Sequence, residues 1–243
     1  MNRVGAVVES GGVRFRVWAP KPRTIAVEVV ASPASKNGRT IALKPTGDGW
    51  FEGFADGLGA GARYHFVLDG ERRRPDPASR AQPDGVHGPS AVVDAAAFQW
   101  SQPRRPRPMS ELVVYELHVG TFTRGGTFVD AIAELDRLVD LGITAIEILP
   151  VASFAGRRNW GYDGVDWFAP QQSYGGPDDL RRLVDAAHAR GLSFILDVVY
   201  NHFGPEGNYV SEFAPWFTSR HKTPWGDAID YGNPAVRAYI RDN

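Results

Sequence analysis

The chain of 243 residues contains no cysteine, and only four of its 27 basic residues are lysines. Without cysteine there can be neither a disulfide nor a thiolate metal site, which is consistent with a reducing compartment. No apolar run approaches the length of a membrane span, and the amino terminus has no basic segment leading into an apolar stretch. We therefore expect a cytoplasmic protein that does not enter a membrane.

Charge of one sign is also lacking, since the formal net charge is −1. A balanced charge gives no overall attraction toward nucleic acid or an anionic membrane surface. Hydrophobic residues make up 43 % of the chain and aromatic residues 12 %, which is enough for a substantial core and excludes the disordered class. We expect no nucleic-acid partner, no obligate protein partner, no metal and no organic cofactor.

The first part of the chain has the pattern of an antiparallel β-structure. Residues 13–18 (VRFRVW) alternate with a period of two, and Pro20 ends this strand. Similar patterns recur, with turn residues between them, at 25–30, 40–43, 50–55 and 63–68. Short strands at this spacing predict an immunoglobulin-like β-sandwich over residues 1–98. Residues 99–110 hold three prolines and three arginines, which predicts a linker.

Beyond the linker the hydrophobic period changes. Apolar runs that are typical of buried strands lie at 112–119, 143–150 and 194–199. Helical spacing predicts helices between them, one from Thr127 to Gly142 and one over 177–190. This β-α-β-α-β order requires a parallel sheet with right-handed crossovers. An open doubly wound sheet has the same order, but the chain has only a weak match to its glycine-rich phosphate turn.

The connections 151–176 and 203–233 are unusually long, and both follow strands. Active sites of parallel barrels form from such connections, at the carboxyl ends of the strands. We therefore expect residues 111–243 to form the first three βα units of a truncated (β/α)8 TIM barrel. The predicted fold class is multidomain, β plus α/β, with the β-sandwich preceding the partial barrel.

The third strand carries the clearest candidate for a functional site. Five of the first six residues of 194–202 (FILDVVYNH) are apolar, which predicts a strand buried on both faces with Asp197 inside it. Asn201 and His202 follow where this strand must end. A carboxylate is rarely left in a core without a partner. Asp197 could therefore serve a catalytic site, or it could fix a neighbouring backbone or pair with an arginine.

Four motifs together resemble the alpha-amylase family of glycoside hydrolases. Residues 197–202 (DVVYNH) resemble the family's first signature, at the end of barrel strand three. Residues 159–163 (NWGYD) resemble the segment that carries a sugar-stacking tyrosine after strand two. Residues 115–122 are similar to its first strand, and residues 175–191 are similar to its second helix. The resemblance covers essentially all of residues 111–243.

The resemblance implies a retaining hydrolase that acts on an α-1,4-glucan. It implies that Tyr162 stacks on the sugar beside the scissile bond and that His202 hydrogen-bonds hydroxyls of the same sugar. Asp197 would orient and electrostatically support the site as its catalytic residue, with Asn201 bracing it. Trp160 would be a further sugar-binding side chain. Each of these side chains could instead have a purely structural role.

A retaining mechanism needs two carboxylates about 5–5.5 Å apart. In this family they come from the ends of strands four and five, and the G-x-R-x-D motif of strand four is absent from this sequence. We therefore expect this chain to be inactive alone. Three alternatives remain open: a glycogen branching or debranching enzyme of the same family, a non-catalytic α-glucan-binding module, and a catalytically dead structural homologue. In the second alternative Trp18, Trp50 and Phe51 of the sandwich would be the sugar platforms.

Overall fold

A computed structural model of the chain describes residues 4–30, 38–103 and 107–243. Residues 104–106 of the predicted linker lie outside this part. Within the described residues the amino-terminal part forms nine strands: β1 Gly5–Glu9, β2 Gly12–Trp18, β3 Ile25–Val29, β4 Arg39–Ala42, β5 Lys44–Gly47, β6 Trp50–Asp56, β7 Arg63–Leu68, β8 Arg72–Arg74 and β9 Ser90–Ala91.

These strands form the predicted β-sandwich. One sheet has the order β1-β2-β6-β5, and the other has the order β4-β3-β7-β8 with β9 paired to β7. All of these pairs are antiparallel. The period-two pattern of β2 places Phe15 in the space between the sheets, where its ring meets the rings of Tyr64 at 4.9 Å and Phe66 at 6.5 Å. Such edge-to-face aromatic contacts contribute to the packing of the core.

The carboxyl-terminal part contains both strands and helices. Two short 3₁₀ turns, Met109–Glu111 and Gln172–Tyr174, lie among them. The strands and α-helices are β10 Val114–Leu117, α1 Val119–Phe122, α2 Phe128–Ile132, α3 Leu135–Asp140, β11 Ala145–Ile148, β12 Ala152–Ser153, β13 Asp166–Pro170, α4 Pro177–Ala189, β14 Ser193–Leu196, α5 Val210–Phe213, β15 Phe217–Thr223, β16 Gly226–Ile229 and α6 Pro234–Asp242. Among the described helices, none combines the length and apolar character that a membrane span requires.

The three strands β10, β11 and β14 form a parallel sheet in that order. Tyr115 lies opposite Ile146, and Ile146 lies opposite Phe194. Helices α2, α3 and α4 pack against this sheet through a core that includes Phe128, Leu135 and other buried apolar residues. The expected fold class, a β-sandwich followed by part of a (β/α)8 barrel, is confirmed.

The first predicted crossover helix is divided in the structure. Thr127 caps α2 as expected, since its hydroxyl accepts a hydrogen bond from the backbone N–H of Asp130 at 3.1 Å. The expected single helix to Gly142 is wrong, because the α-helical pattern stops after Ile132 and resumes at Leu135. Leu135 and Leu138 are both buried, so the second segment is placed by packing of its apolar face.

The third strand is shorter and more exposed than expected. The strand β14 ends at Leu196, whose exposed fraction is 45 %, so burial on both faces is wrong for the described residues. Asp197 follows the strand instead of lying inside it, and its N–H donates to the carbonyl of Ile148 at 3.1 Å. The physical reason is that β14 is an edge strand of the described sheet, with β11 on one side and no described strand on the other.

The two parts of the chain share one hydrophobic core. Trp216 and Phe213, from the connection after β14, are buried together with the interior of the sandwich. The ring of Phe213 lies 6.1 Å from that of Phe66, and the ring of Trp216 lies 5.9 Å from that of Trp18. The sandwich therefore packs directly against the connection that follows the third strand of the barrel.

Two carboxyl groups are buried where the sandwich meets β13. Asp76 accepts hydrogen bonds from the Tyr64 hydroxyl at 2.6 Å and from the Ala78 N–H at 2.7 Å. Burial raises the pKa of Asp76 to about 6. The Oδ2 atom of Asp166 is buried without a hydrogen-bond partner among the described residues. Burial, followed by the charge of Asp76, raises the pKa of Asp166 well above its usual value.

Candidate functional site

The segment that carries Tyr162 is held by the side chain of Asn159. The Oδ1 atom of Asn159 accepts hydrogen bonds from three successive backbone N–H groups: Gly161 at 2.8 Å, Tyr162 at 3.1 Å and Asp163 at 3.4 Å. Its Nδ2 atom donates to Asp163 Oδ2 at 2.5 Å. Asparagine favours such local turns because its short side chain reaches backbone groups two residues ahead. The turn leaves Tyr162 with 47 % of its surface exposed.

The residues after β14 form the opposite side of the site. His202 Nδ1 lies 2.7 Å from Asn201 Oδ1. An amide oxygen only accepts hydrogen bonds, so Nδ1 carries the proton and a neutral ring presents an acceptor at Nε2. Asn201 therefore fixes both the orientation of the imidazole and the position of its proton. Asp197 is half-buried directly after the strand.

A cavity of about 770 Å³ brings most of the predicted site residues together. Its lining includes Tyr162, Asp163, Asp197, Tyr200, Asn201, His202, Trp225 and Tyr231. The predicted residues Asp197, Tyr162, Asn201 and His202 thus share one open space at the carboxyl end of β14. Mixed aromatic and polar linings of this kind are typical of small-molecule sites.

Trp160 lies apart from this cavity. Its side chain is 65 % exposed, and its ring contacts that of His118, with ring centroids 5.1 Å apart. The structure therefore does not bring Trp160 together with the other four predicted residues. Trp167 and Trp216, by contrast, are buried in the core that includes the sandwich, so neither offers an open face to a sugar.

Three aromatic residues of the cavity, Tyr200, Trp225 and Tyr231, were not predicted as site residues. Trp225 lies between β15 and β16, and its ring stacks on His202 with centroids 4.4 Å apart and planes 9° apart. Tyr231 donates a hydrogen bond from its hydroxyl to the carbonyl of Tyr200. Burial raises the pKa of both tyrosines, so their hydroxyls remain donors at neutral pH. For Trp225 and Tyr231 the sequence signal was the cluster of aromatic residues within the long connection 203–233.

Both glutamates of this connection are engaged away from the cavity. Glu206 lies 3.2 Å from the Nε2 atom of His87. Glu212 pairs with Arg74 at 2.7 Å and with Arg72 at 3.2 Å, which joins the connection to β8 of the sandwich. Asp163 lines the cavity but already accepts the hydrogen bond of Asn159. Within the described residues, no group of three or more potential ligands could hold a metal ion.

The aromatic residues proposed as platforms on the sandwich are not openly presented. Phe51 is buried in the core, so its assignment as a platform is wrong. Trp18 packs against Trp216, and the guanidinium carbon of Arg16 lies 3.9 Å from the ring centroid of Trp50. The regular alternation of a β-strand explains the burial of Phe51, because every second side chain of β6 points into the sandwich.

Comparison with known sequences places the chain in a family. The profile described as the alpha amylase catalytic domain matches residues 52–226. The profile of carbohydrate-binding module 48, the isoamylase N-terminal domain, matches residues 3–83. The first match covers more than half of the chain. The chain belongs to the alpha-amylase family.

Several relatives in the alpha-amylase family share one name. The chain is 47 % identical over 246 residues to the malto-oligosyltrehalose trehalohydrolase of Deinococcus radiodurans, covering 100 % of this chain and 40 % of that protein. It is 44 % identical over 243 residues to the enzyme of the same name from Saccharolobus solfataricus, covering 98 % and 42 %. Residues 74–80 (RPDPASR) and 85–90 (GVHGPS) resemble the trehalohydrolase segment between sandwich and barrel. The shared name of these relatives confirms the resemblance of the whole chain to malto-oligosyltrehalose trehalohydrolase.

Two further relatives belong to the same comparison. A 1,4-alpha-glucan branching enzyme of Corynebacterium jeikeium is 31 % identical over 260 residues, covering 99 % of this chain and 36 % of that protein. The crystal structure of a Salmonella typhimurium protein provisionally named an alpha amylase superimposes with a TM-score of 0.90 at 46 % identity, covering 99 % of this chain and 40 % of that chain. The chain thus spans about two fifths of the length of these relatives.

Proposed function

We propose that this chain forms the glucan-holding part of a glycoside hydrolase. The whole protein would cleave the α-1,4-glucosidic bond next to the terminal trehalose of maltooligosyltrehalose and release trehalose by a retaining mechanism. The observation that carries this proposal is the shared cavity that Tyr162, Asp197 and His202 line. The names of the trehalohydrolase relatives support the choice of substrate, and the absence of cysteine supports a cytoplasmic location.

The cavity residues have chemistry suited to these roles. The Tyr162 ring would stack on the sugar next to the scissile bond, and Trp225 would extend the aromatic wall on the opposite side. The free Nε2 of His202 would accept a hydrogen bond from a sugar hydroxyl, because its Nδ1 proton is already donated to Asn201. The negative charge of Asp197 would stabilise an oxocarbenium-like transition state.

We infer that the nucleophile and the acid/base come from residues this chain does not contain. The described acidic residues Asp163, Glu206 and Glu212 already have partners, so none of them is a free second carboxylate for the cavity. The purified 243-residue chain is therefore expected to release no trehalose from maltooligosyltrehalose above a control without protein. Measurable release would contradict this assignment.

Glucan binding by the intact chain tests the site directly. Maltoheptaose is titrated into the chain and binding is followed by isothermal calorimetry or by NMR line shifts. The variants Tyr162→Ala and His202→Ala should weaken binding at least about tenfold, which corresponds to about 1.4 kcal/mol. Trp100→Ala removes an exposed aromatic ring outside the cavity and serves as the matched control. Trp160→Ala measures separately whether that residue contributes to binding.

The two rival functions give different results when the same titration is made with further variants and with maltooligosyltrehalose as a second ligand. A glucan-binding module on the sandwich requires Trp50→Ala to abolish binding while Tyr162→Ala leaves it unchanged. A branching enzyme requires equal affinity for maltooligosyltrehalose and for a maltooligosaccharide of the same length. The proposed function requires the trehalose-terminated sugar to bind more tightly.

A further inference from the structure

We propose that Asn159 is the positioning residue of the glucan site, because its side chain sets the place of Tyr162 and its backbone carbonyl joins the turn to the first barrel strand. This inference rests on the proposed function in taking Tyr162 as a sugar-binding residue. The contacts of Asn159 themselves do not depend on that function.

The position of Tyr162 is set by its backbone. Among the described residues its hydroxyl has no hydrogen-bond partner, and its ring makes no contact with another aromatic ring. The three N–H groups bound by Asn159 Oδ1 include that of Tyr162 and those on both sides of it. Loss of this one oxygen would release all three N–H groups at once.

The backbone of Asn159 connects the turn to the first strand. Its carbonyl oxygen accepts hydrogen bonds from His118 Nε2 at 2.7 Å and from the Tyr174 hydroxyl at 3.1 Å. His118 directly follows β10, and its Nδ1 lies 3.2 Å from the Thr121 hydroxyl. A neutral ring with its proton on Nε2 satisfies both contacts. The turn is therefore tied to the end of β10 as well as closed by its own side chain.

The turn also contacts the segment that directly follows His202. The N–H of Gly204 donates to the carbonyl of Gly164 at 3.1 Å. A Cβ atom at Gly204 would lie 2.0 Å from the carbonyl oxygen of Asp163. The two backbones therefore approach more closely than a residue with a Cβ atom at position 204 would allow. Gly204 lies two residues after His202. A shift of the Asn159 turn would therefore move both sides of the cavity.

As long as residue 163 is an aspartate, only an amide side chain meets all the requirements at position 159. Its Oδ1 must accept from backbone N–H groups while its Nδ2 donates to the Asp163 carboxylate. Aspartate would keep the acceptor but would bring two carboxylates to 2.5 Å, where they repel each other. Alanine would lose both functions. An exchange of the amide and the carboxylate between positions 159 and 163 would restore donor and acceptor.

A double-mutant cycle in the intact chain tests the proposal. The variants are Asn159→Ala, Asn159→Asp, Asp163→Asn and the double variant Asn159→Asp/Asp163→Asn. Amide hydrogen exchange of residues 161–163 is measured together with the affinity for maltoheptaose. Asn208→Ala is the matched control, since Asn208 Oδ1 accepts from the Val210 N–H at 3.3 Å in a turn away from Tyr162.

We expect exchange at residues 161–163 to rise at least about tenfold in Asn159→Ala and Asn159→Asp, with a loss of affinity of about the same size. The double variant should return to within about twofold of Asp163→Asn in both measurements. The control should change neither.

Three results would overturn the proposal: unchanged exchange in Asn159→Asp, a double variant no better than Asn159→Asp, or exchange that rises without any loss of affinity. If the unmodified chain does not bind maltoheptaose, the proposed function fails. The exchange measurements then still decide whether Asn159 positions Tyr162.

Discussion

The buried carboxyl of Asp76 should make the stability of the protein depend on pH. Its folded-state pKa is about 6, and its usual value is 3.8. A raised pKa means that the folded state binds the proton more tightly than the unfolded state, so stability falls as pH rises from the lower value through the higher one. This rise corresponds to about 3 kcal/mol in total, since one pKa unit equals about 1.4 kcal/mol. About 2 kcal/mol of that loss falls between pH 4 and pH 7.

The variant Asp76→Asn cannot ionise and therefore lacks this loss. Its stability relative to the unmodified chain should rise by at least about 2 kcal/mol between pH 4 and pH 7, whatever the constant effect of altering the hydrogen bond from Tyr64. Removal of the Asp76 charge also makes the pKa of Asp166 less raised. The difference in unfolding free energy between the variant and the unmodified chain therefore changes in the same direction. Urea unfolding at pH 4, 5, 6 and 7, followed by tryptophan fluorescence at constant ionic strength, measures the difference.

Asp56→Asn, which removes an exposed carboxylate from the same sandwich, controls for the general effect of losing a charge. The reasoning would be refuted if the difference in unfolding free energy between Asp76→Asn and the unmodified chain stayed constant from pH 4 to pH 7. That result would mean that Asp76 ionises in the folded protein as easily as in the unfolded chain.

Three further substitutions have defined outcomes. Asp166→Asn should gain stability relative to the unmodified chain as pH rises from 4 to 7, because it removes a buried acid with a raised pKa; the same unfolding series would contradict this if the difference stayed flat. Trp216→Ala should lower the free energy of unfolding by about 3–5 kcal/mol, since it empties a large volume in the shared core, and a loss below about 1 kcal/mol would argue against that packing. Gly204→Ala should displace the Tyr162 turn, because its Cβ would collide with the Asp163 carbonyl; unchanged amide chemical shifts at Tyr162 would exclude this.

The sequence predicted the order of strands well, because alternation and buried apolar runs depend mainly on local pattern. The strand β2 and the parallel set β10, β11 and β14 follow directly from such patterns. The interruption between Ile132 and Leu135 could not be predicted, since the residues there are ordinary helix formers and tertiary packing decides where each segment lies.

The site shows the same division between local and tertiary information. Motifs predicted Tyr162, Asp197 and His202, which line one cavity. The sequence could not show which of the exposed tryptophans Trp160 and Trp225 lines the cavity. Only the folding of the hairpin β15–β16 brings Trp225 onto His202. Asp76 lies in a segment rich in proline and glycine, whose composition predicts a loop but does not show that its carboxyl is buried.

The core that joins the sandwich to the connection after β14 has a consequence for how the molecule comes apart. Because Phe213 and Trp216 fill space beside Phe66 and Trp18, the sandwich cannot separate from the barrel strands without exposing large aromatic surfaces to water. Cleavage of the backbone between residues 99 and 110 should therefore leave two pieces that stay associated and melt together.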